Sequence, residues 1–326
     1  FNNTGLARVT QEDGASSTHY HAAHVAGTLV AGGVQANAKG MAFGASLKAY
    51  EWNNDSAEMR TAAADGMEIS NHSYGAIRGW HFNDGESTWY WYGVTTTSET
   101  EDSQFGLYDS GAADWDDIAY DAPNYLIVKS AGNDRNDFGP GAGGSHKVWD
   151  SGVGNWVVST TTRDKDGGDD GYDCIANAST AKNILTVGAV NDVTNYAGPS
   201  SVGMSDFSCW GPVDDGRIKP DIVANGVDLY SCLDSANDAY GSLSGTSMAS
   251  PSAAGTMVLL QQHYQNLNSG APMRSATLKA LVIHTADEAG DSEGPDYKFG
   301  WGLMNAERAA EKITEDKNDQ NVIELS

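Results

Sequence analysis

The sequence predicts an α/β fold with three layers, in which a mostly parallel central sheet lies between two layers of helices. Short apolar runs alternate along the chain with Ala-rich runs of helical type, and this repeated order is typical of a parallel sheet covered on both faces. The chain has 326 residues, of which 40% are apolar, so it is long enough for one large domain with a buried core. In such sheets, functional sites lie at the carboxyl ends of the strands.

The predicted elements follow in chain order. Strands are predicted at four short runs rich in apolar residues, 45–50, 67–71, 125–130 and 184–190. Helices are predicted at residues 56–66, 111–121, 246–263 and 275–284. Ser56 is expected to be the N-cap of the first helix and Gly66 its C-cap.

Two segments interrupt this alternation. Residues 78–109 are rich in Trp, Tyr, Thr and acidic residues and are expected to be an insertion. Residues 164–173 form an acidic, Gly-rich run that is expected to be a loop.

The net charge of −25 limits the classes of partner. A charge of this size repels nucleic acid and anionic membrane surfaces, so neither is expected to bind. No run of 18 or more apolar residues occurs, and the sequence therefore predicts no membrane span. An acidic surface suits a secreted protein or one that holds divalent cations, although a solvated acidic face also explains it. Three cysteines, Cys174, Cys209 and Cys232, are too few for a disulfide scaffold, and one bridge with one free thiol stays open.

The segment GTSMASP, residues 245–251, is the sharpest local signal of chemistry. A serine nucleophile needs an exposed hydroxyl, a base, and N–H groups directed at the developing oxyanion. Ser247 at the start of the 246–263 helix would have free N–H groups and the positive end of the helix dipole near it. An ordinary helix N-cap explains the same residues from their local pattern alone.

The segment HAAHVAGT, residues 21–28, places His21 and His24 three residues apart. A metal-binding histidine pair is disfavoured because the segment lacks an HExxH pattern and nearby carboxylate ligands. The segment SAGN, ending at Asn133, follows the buried strand at 125–130. By itself, Gly followed by Asn at a strand end also fits an ordinary turn.

Together these motifs resemble those of the subtilisin-like serine proteases, also called subtilases or peptidase family S8. GTSMASP is similar to that family's GTSMAxP, HAAHVAGT to HGTHVAGT, and SAGN to AAGN, in the family's order along the chain. Ala22 and Ala23 depart from the second motif. The resemblance implies a subtilisin-like α/β/α fold in which Ser247 is the nucleophile, His21 the general base and Asn133 the oxyanion-hole donor.

The resemblance also implies a substrate-binding cleft between two strands. The run NHSYG, residues 71–75, is similar to the family's substrate-binding strand, and His72 within it is expected to be packed in the core. An extended peptide or protein substrate would pair with these strands through main-chain hydrogen bonds. The residues implied in substrate binding are Ser73, Tyr74, Gly75, Ser130, Ala131 and Gly132.

The family's third catalytic residue is an aspartate, which follows the first core strand about thirty residues before the histidine. Only twenty residues precede His21, and their acids, Glu12 and Asp13, follow no apolar strand, so neither is assigned. The expectation is a catalytic domain at residues 1–312 that lacks its Asp-bearing strand. A companion chain is expected to supply that strand. Residues 313–326 are expected to be a linker or the start of a further C-terminal domain, as in large bacterial subtilases.

Structural calcium is a second expectation, while no cofactor is expected for catalysis. Calcium binds six to eight oxygen atoms, and an acidic Gly-rich loop can wrap around it. A flexible solvated loop explains the same composition. The expected ligands are Asp164, Asp166, Asp169, Asp170 and Asp173.

The function expected from these features is that of a secreted or extracellular serine endopeptidase. The alternative is a binding or scaffold protein that keeps the subtilase fold with impaired catalysis, which the unassigned aspartate and the HAAH variant favour. An esterase of the α/β-hydrolase type is excluded, because that class needs GxSxG and the order Ser, acid, His.

Overall fold

The computed structural model describes residues 7–319, and the side chains of residues 7–318. Its helices are α1 (Tyr20–Val30), α2 (Asp55–Ala64), α3 (Ser110–Asp121), α4 (Thr246–Leu267), α5 (Ser275–His284) and α6 (Ala306–Asp319). Its first six strands are β1 (Val9–Gln11), β2 (Leu47–Ala49), β3 (Ile69–His72), β4 (Trp80–Asn83), β5 (Thr88–Trp91) and β6 (Leu126–Ser130). The other six are β7 (His146–Asp150), β8 (Asn155–Ser159), β9 (Leu185–Val190), β10 (Ile222–Asn225), β11 (Leu229–Cys232) and β12 (Tyr240–Leu243).

Four strands form a parallel sheet at the centre of the molecule, in the order β10-β9-β6-β3. All residues of β6 and β9 are buried, as expected for strands with helices on both faces. His72 pairs with Lys129 in register, so β3 and β6 end side by side. The segments that follow them, beginning at Ser73 and Ala131, therefore leave the sheet at the same edge.

Helices cover both faces of this sheet. Apolar side chains of α1, α4, α5 and α6 pack on one face in a single buried cluster, with Val128, Val187 and Met257 near its centre. On the other face α2 and α3 pack around Ile127 through Met59 and Trp115. The predicted three-layer α/β/α arrangement around a parallel central sheet is confirmed.

A separate pair of parallel strands, β1 and β2, lies beside the central sheet without joining it. β1 corrects one premise drawn from the sequence, because a strand does precede Glu12 and Asp13. The Asp13 carboxylate nevertheless accepts the Glu51 N–H at 2.6 Å, and no hydrogen bond within residues 7–318 joins it to the His21 ring. It also lies in solvent, so its placement agrees with leaving it out of the catalytic residues.

The predicted insertion, residues 78–109, contributes β4 and β5 to a second sheet. β7 and β8 complete that sheet, in the order β4-β5-β7-β8. Aromatic side chains hold it together, with the Tyr90 and Trp156 rings 4.8 Å apart between centroids. This sheet stands apart from the strands that carry the candidate site.

Most predicted boundaries agree with the structure to within a few residues, and α5 agrees at both ends. α2 begins one residue earlier than expected, and Asn54 rather than Ser56 occupies its N-cap position. α6 continues to Asp319, past the predicted end of the domain at residue 312, so residues 313–319 are helical rather than a linker. The rest of that predicted linker, residues 320–326, lies outside the described residues.

The three cysteines are free, buried thiols rather than disulfide partners. Cys174 and Cys209 belong to one small apolar cluster with Ala131. None of the helices described over residues 7–319 could span a membrane.

Candidate active site

Ser247 lies at the N-terminus of α4, where the helix meets the carboxyl edge of the central sheet. Gly245 precedes the helix with φ 155°, in a region of backbone conformation that side chains disfavour, which explains a glycine there. Ser247 is half-buried, and within the described residues its backbone N–H has no acceptor. The site thus presents a reachable hydroxyl beside an unsatisfied N–H at a helix N-terminus.

Pro251 explains how the carbonyl group of Ser247 is used. A proline has no N–H, so the carbonyl oxygen four residues before it lacks its helical partner. That oxygen accepts a hydrogen bond from Ser73 Oγ at 3.0 Å. In return Ser247 Oγ donates to the Ser73 carbonyl oxygen at 3.3 Å. Ser73, expected to contact substrate, therefore holds Ser247 against the end of β3.

Asn133 follows β6 and lies opposite Ser247. Its Oδ1 accepts two hydrogen bonds from Thr246, one from the backbone N–H and one from Oγ1, both at 2.9 Å. The Thr246 hydroxyl in turn accepts the Gly132 N–H at 3.2 Å. With Oδ1 anchored in this way, Asn133 Nδ2 has no acceptor within the described residues and remains a free donor. Thr246 is therefore a positioning residue.

Replacing Thr246 by valine is expected to lower kcat for peptide hydrolysis about tenfold. The change keeps the shape of the side chain but leaves Asn133 Oδ1 with only the bond from the Thr246 backbone N–H, and a typical hydrogen bond is worth about 1 kcal/mol. Thr246→Ser is the matched control, and it should retain most of the activity because it keeps the hydroxyl. Steady-state kinetics with one peptide substrate measure kcat for both variants. Equal kcat values would show that the Thr246 hydroxyl does not position Asn133.

His21 lies in the first turn of α1, which packs against α4. The helix begins under a cap that sequence reasoning missed, because His19 Nδ1 accepts the His21 N–H at 3.2 Å. Burial lowers the pKa of His21 below its ordinary value, and the neighbouring His19 and His24 lower it further. The ring is therefore neutral at neutral pH, as a general base must be.

The ring of His21 is less engaged than expected. Within residues 7–319 it forms no hydrogen bond to Ser247, whose hydroxyl faces the Ser73 carbonyl oxygen instead. No carboxylate of the described residues bonds to the ring or is among the causes of its pKa shift. A carboxylate on one ring nitrogen normally orients the other toward the serine, and here the described residues provide none.

His24, the second histidine of the segment HAAHVAGT, is fully buried, and its Nε2 bonds to the Leu229 carbonyl oxygen at 2.8 Å. Its role is thus to fasten α1 to β11. His72 is also buried, between Ser70 Oγ and the Tyr74 hydroxyl, each at 2.8 Å. The expected packing of His72 is confirmed, and burial lowers its pKa to about 3.

A cavity of about 180 Å³ opens beside Ser247. Its walls are the two segments that leave β3 and β6, and Asn177 and Ser179 lie on its lining as well. Five of the six residues expected to bind substrate line it, Ser73 being the exception: Tyr74, Gly75, Ser130, Ala131 and Gly132. The structure thus brings Ser247, Asn133 and the predicted substrate strands together around one space.

The five acidic residues expected to bind calcium do not form one site. Asp164, Asp166 and Asp173 line a second cavity of about 260 Å³, while Asp169 and Asp170 point into solvent. Asp166 accepts the Trp80 N–H at 2.8 Å, and burial raises its pKa to about 10. Over the described part of the chain, no group of three or more His, Cys, Asp or Glu side chains is placed to hold a metal ion. The expectation of a calcium site at 164–173 is therefore not supported.

Comparison with known proteins places the chain among proteases. A family model described as the subtilase family matches residues 1–302. A C5a peptidase of Streptococcus pyogenes serotype M3 is 33% identical over 155 residues, or 45% of this chain and 13% of that protein. A PII-type proteinase of Lactococcus lactis subsp. cremoris is 47% identical over 135 residues, or 37% of this chain and 7% of that protein. The aligned region is thus a small part of each relative's length.

Solved structures agree on the fold. The prenylagaramide maturation protease PagA superposes with a TM-score of 0.61 at 19% identity, over 94% of this chain and 86% of that one. The Clostridium perfringens CspB protease gives a TM-score of 0.60 at 16% identity, over 90% and 81% of the two chains. At such low identity the likeness speaks for the fold alone.

Proposed function

This chain belongs to the subtilase family, and on that premise we propose that it is a serine endopeptidase acting on peptides or proteins by acyl transfer through Ser247. One observation carries the proposal: the Ser247 backbone N–H and Asn133 Nδ2, two donors without an acceptor among the described residues, lie 3.6 and 3.4 Å from the Cβ position of Gly245, and Ser247 and Asn133 line one cavity. Two such donors form an oxyanion hole for the tetrahedral intermediate.

The other residues take roles that follow from their positions. An extended substrate would pair with the segments after β3 and β6, which bring its carbonyl carbon to Ser247. Neutral His21 would take the proton of the attacking hydroxyl and pass it to the leaving amine. The imidazolium formed between these steps needs a carboxylate partner.

We propose that this carboxylate is an aspartate on a strand outside these 326 residues, which inserts between β2 and β3. Among the described residues, β2 pairs with β1 alone, and β3 pairs with β6 alone. Leu47 and Ile69 pack against the same apolar cluster, so the two free edges border one core. Most residues of β3 are half-buried, whereas all residues of β6 are buried. Unpaired backbone N–H and C=O groups at the edge of a sheet favour pairing with a further strand. A companion chain or another segment of the same protein could supply it.

The hydrogen bond of Ser247 Oγ to Ser73 favours a second candidate function, a subtilase-fold binding or scaffold protein without turnover. The two candidates differ in whether Ser247 reacts. We also propose an extracellular location, which the net charge of −25 supports because acidic surfaces suit secreted proteins.

Replacing Asn133 by leucine in the complete protein tests the oxyanion hole. We expect kcat for a chromogenic peptide to fall about 10²–10³-fold with little change in KM, because the donor acts mainly in the transition state. In subtilisin itself, removal of the corresponding donor has an effect of about this size. Asn136→Leu, an asparagine in the next turn, is the matched control. A variant of Asn133 that turns over at the normal rate would contradict the proposed site.

A further inference from the structure

Lys129 is an unexpected residue for the floor of this cleft. It lies on β6, directly before the wall residue Ser130, and is only 4% exposed, yet it lines the cavity beside Ser247. A Cβ atom added to Gly75 would lie 4.0 Å from Lys129 Nζ and 3.1 Å from Asn177 Nδ2. Two nitrogen donors therefore face the same space, next to the Gly75 wall.

The hydrogen-bond acceptors of the Lys129 ammonium are neutral groups. Its Nζ donates to the Tyr74 carbonyl oxygen at 2.5 Å, and to the carbonyl and hydroxyl oxygens of Ser130 at 3.3 Å. All three acceptors are neutral, and no ion pair over residues 7–318 includes this side chain. Burial lowers the pKa of Lys129 to about 8, against the opposing influence of Asp134 and Asp55.

Lys219 shows how the same fold treats another buried lysine. It is 2% exposed, and its Nζ lies 2.7 Å from Asp221 Oδ2, so a carboxylate of the same chain pairs with it. Asp221 also meets Lys279 at 2.9 Å. A buried charge without such a partner is costly. At Lys129 a carboxylate entering the cavity from outside would supply that partner.

We propose that Lys129 is a specificity-determining residue that selects an acidic side chain, Asp or Glu, at the substrate residue whose carbonyl group Ser247 attacks. This inference rests on the proposed function. The side chain of that residue enters the cavity beside Ser247, where the ammonium of Lys129 and the amide of Asn177 meet its carboxylate. The chain's own charge of −25 repels acidic peptides at long range, so the preference arises from this contact and not from steering.

Paired peptides test the proposal in the complete protein. The substrates differ only at the attacked residue, Glu against Gln and Asp against Asn, which are matched in size. For the better of the two pairs, we expect kcat/KM to be about 10- to 100-fold higher for the acidic peptide than for the matching amide peptide. This ratio corresponds to the free energy of a hydrogen bond to a charged group. Lys129→Met should abolish the ratio by lowering only the acidic rates, and Lys129→Arg should retain part of it. A parallel fall for both members of each pair would mean that Lys129 only ties the two walls together.

A binding measurement separates this inference from the proposed function. Peptides ending in Glu or Gln are titrated by calorimetry into the Ser247→Ala variant, in which no turnover is needed. Tighter binding of the Glu peptide supports the role of Lys129 even if the wild-type protein hydrolyses nothing, an outcome that would contradict only the peptidase proposal. Equal affinities of the two peptides overturn the role of Lys129. So does a wild-type kcat/KM that is no higher for the acidic peptide than for the amide peptide in both pairs, and neither result depends on whether the Met variant folds.

Discussion

Replacing Ser247 by alanine is expected to lower kcat for peptide hydrolysis about 10⁶-fold, and His21→Ala should lower kcat by a similar factor. The two groups act as one unit, since the hydroxyl is a weak nucleophile without the base and the base has no proton to move without the hydroxyl. In subtilisin, loss of either residue has an effect of this size. The double variant should therefore be no slower than either single variant.

The measurement is single-substrate kinetics with the complete protein and both single variants. His284→Ala, a histidine at the far end of α5, serves as the control and should keep normal turnover. If Ser247→Ala stays within tenfold of wild type, another group performs the chemistry. Strictly additive losses in the double variant would mean that His21 does not act on Ser247.

The second large effect concerns the acid proposed for the gap between β2 and β3. In the complete protein, changing the aspartate that meets His21 to asparagine is expected to lower kcat about 10⁴-fold, because the amide no longer steadies the imidazolium and favours the wrong tautomer. The pH dependence should also move. A carboxylate raises the pKa of His21, so its loss should shift the acid limb of kcat/KM to lower pH, where the ring stays neutral.

A crystal structure of the complete protein identifies that aspartate before it is changed. We expect a further parallel strand bonded to β2 on one side and to β3 on the other, with its carboxylate on the His21 ring nitrogen that faces away from Ser247. Direct pairing of β2 with β3, or full activity from residues 1–326 by themselves, would refute the inserted strand.

The central layers of the fold could be predicted because their sequence patterns are local. β6 and β9 are short apolar runs, and α5 follows from a run whose bounds agree with the structure at both ends. β1 was missed because three residues, two of them exposed, carry little apolar signal. The helical end of α6 was missed because its polar face resembles a linker, although Ile313 on its other face is buried.

The site was predicted where a motif carries the chemistry, as with Ser247 and Asn133. The supporting contacts were not, because they join distant parts of the chain. Thr246 acquires its role only when β6 brings Asn133 beside it, and Ser73 only when Pro251 frees a carbonyl oxygen across the cleft. The sequence predicts Lys129 only as one residue of a buried strand. Its pairing with His72 in the sheet brings its ammonium to the cavity. The positions of the carboxylates in the acidic loop could not be predicted for the same reason, since composition does not say where side chains point.

Reaction of the complete protein with a fluorophosphonate, followed by peptide mass spectrometry, shows whether Ser247 is an activated nucleophile, since such reagents phosphonylate an activated serine. We expect one modified residue, Ser247, with labelling lost in Ser247→Ala and strongly slowed in His21→Ala. A folded protein that takes up no label at Ser247 would contradict the claim and favour the scaffold protein.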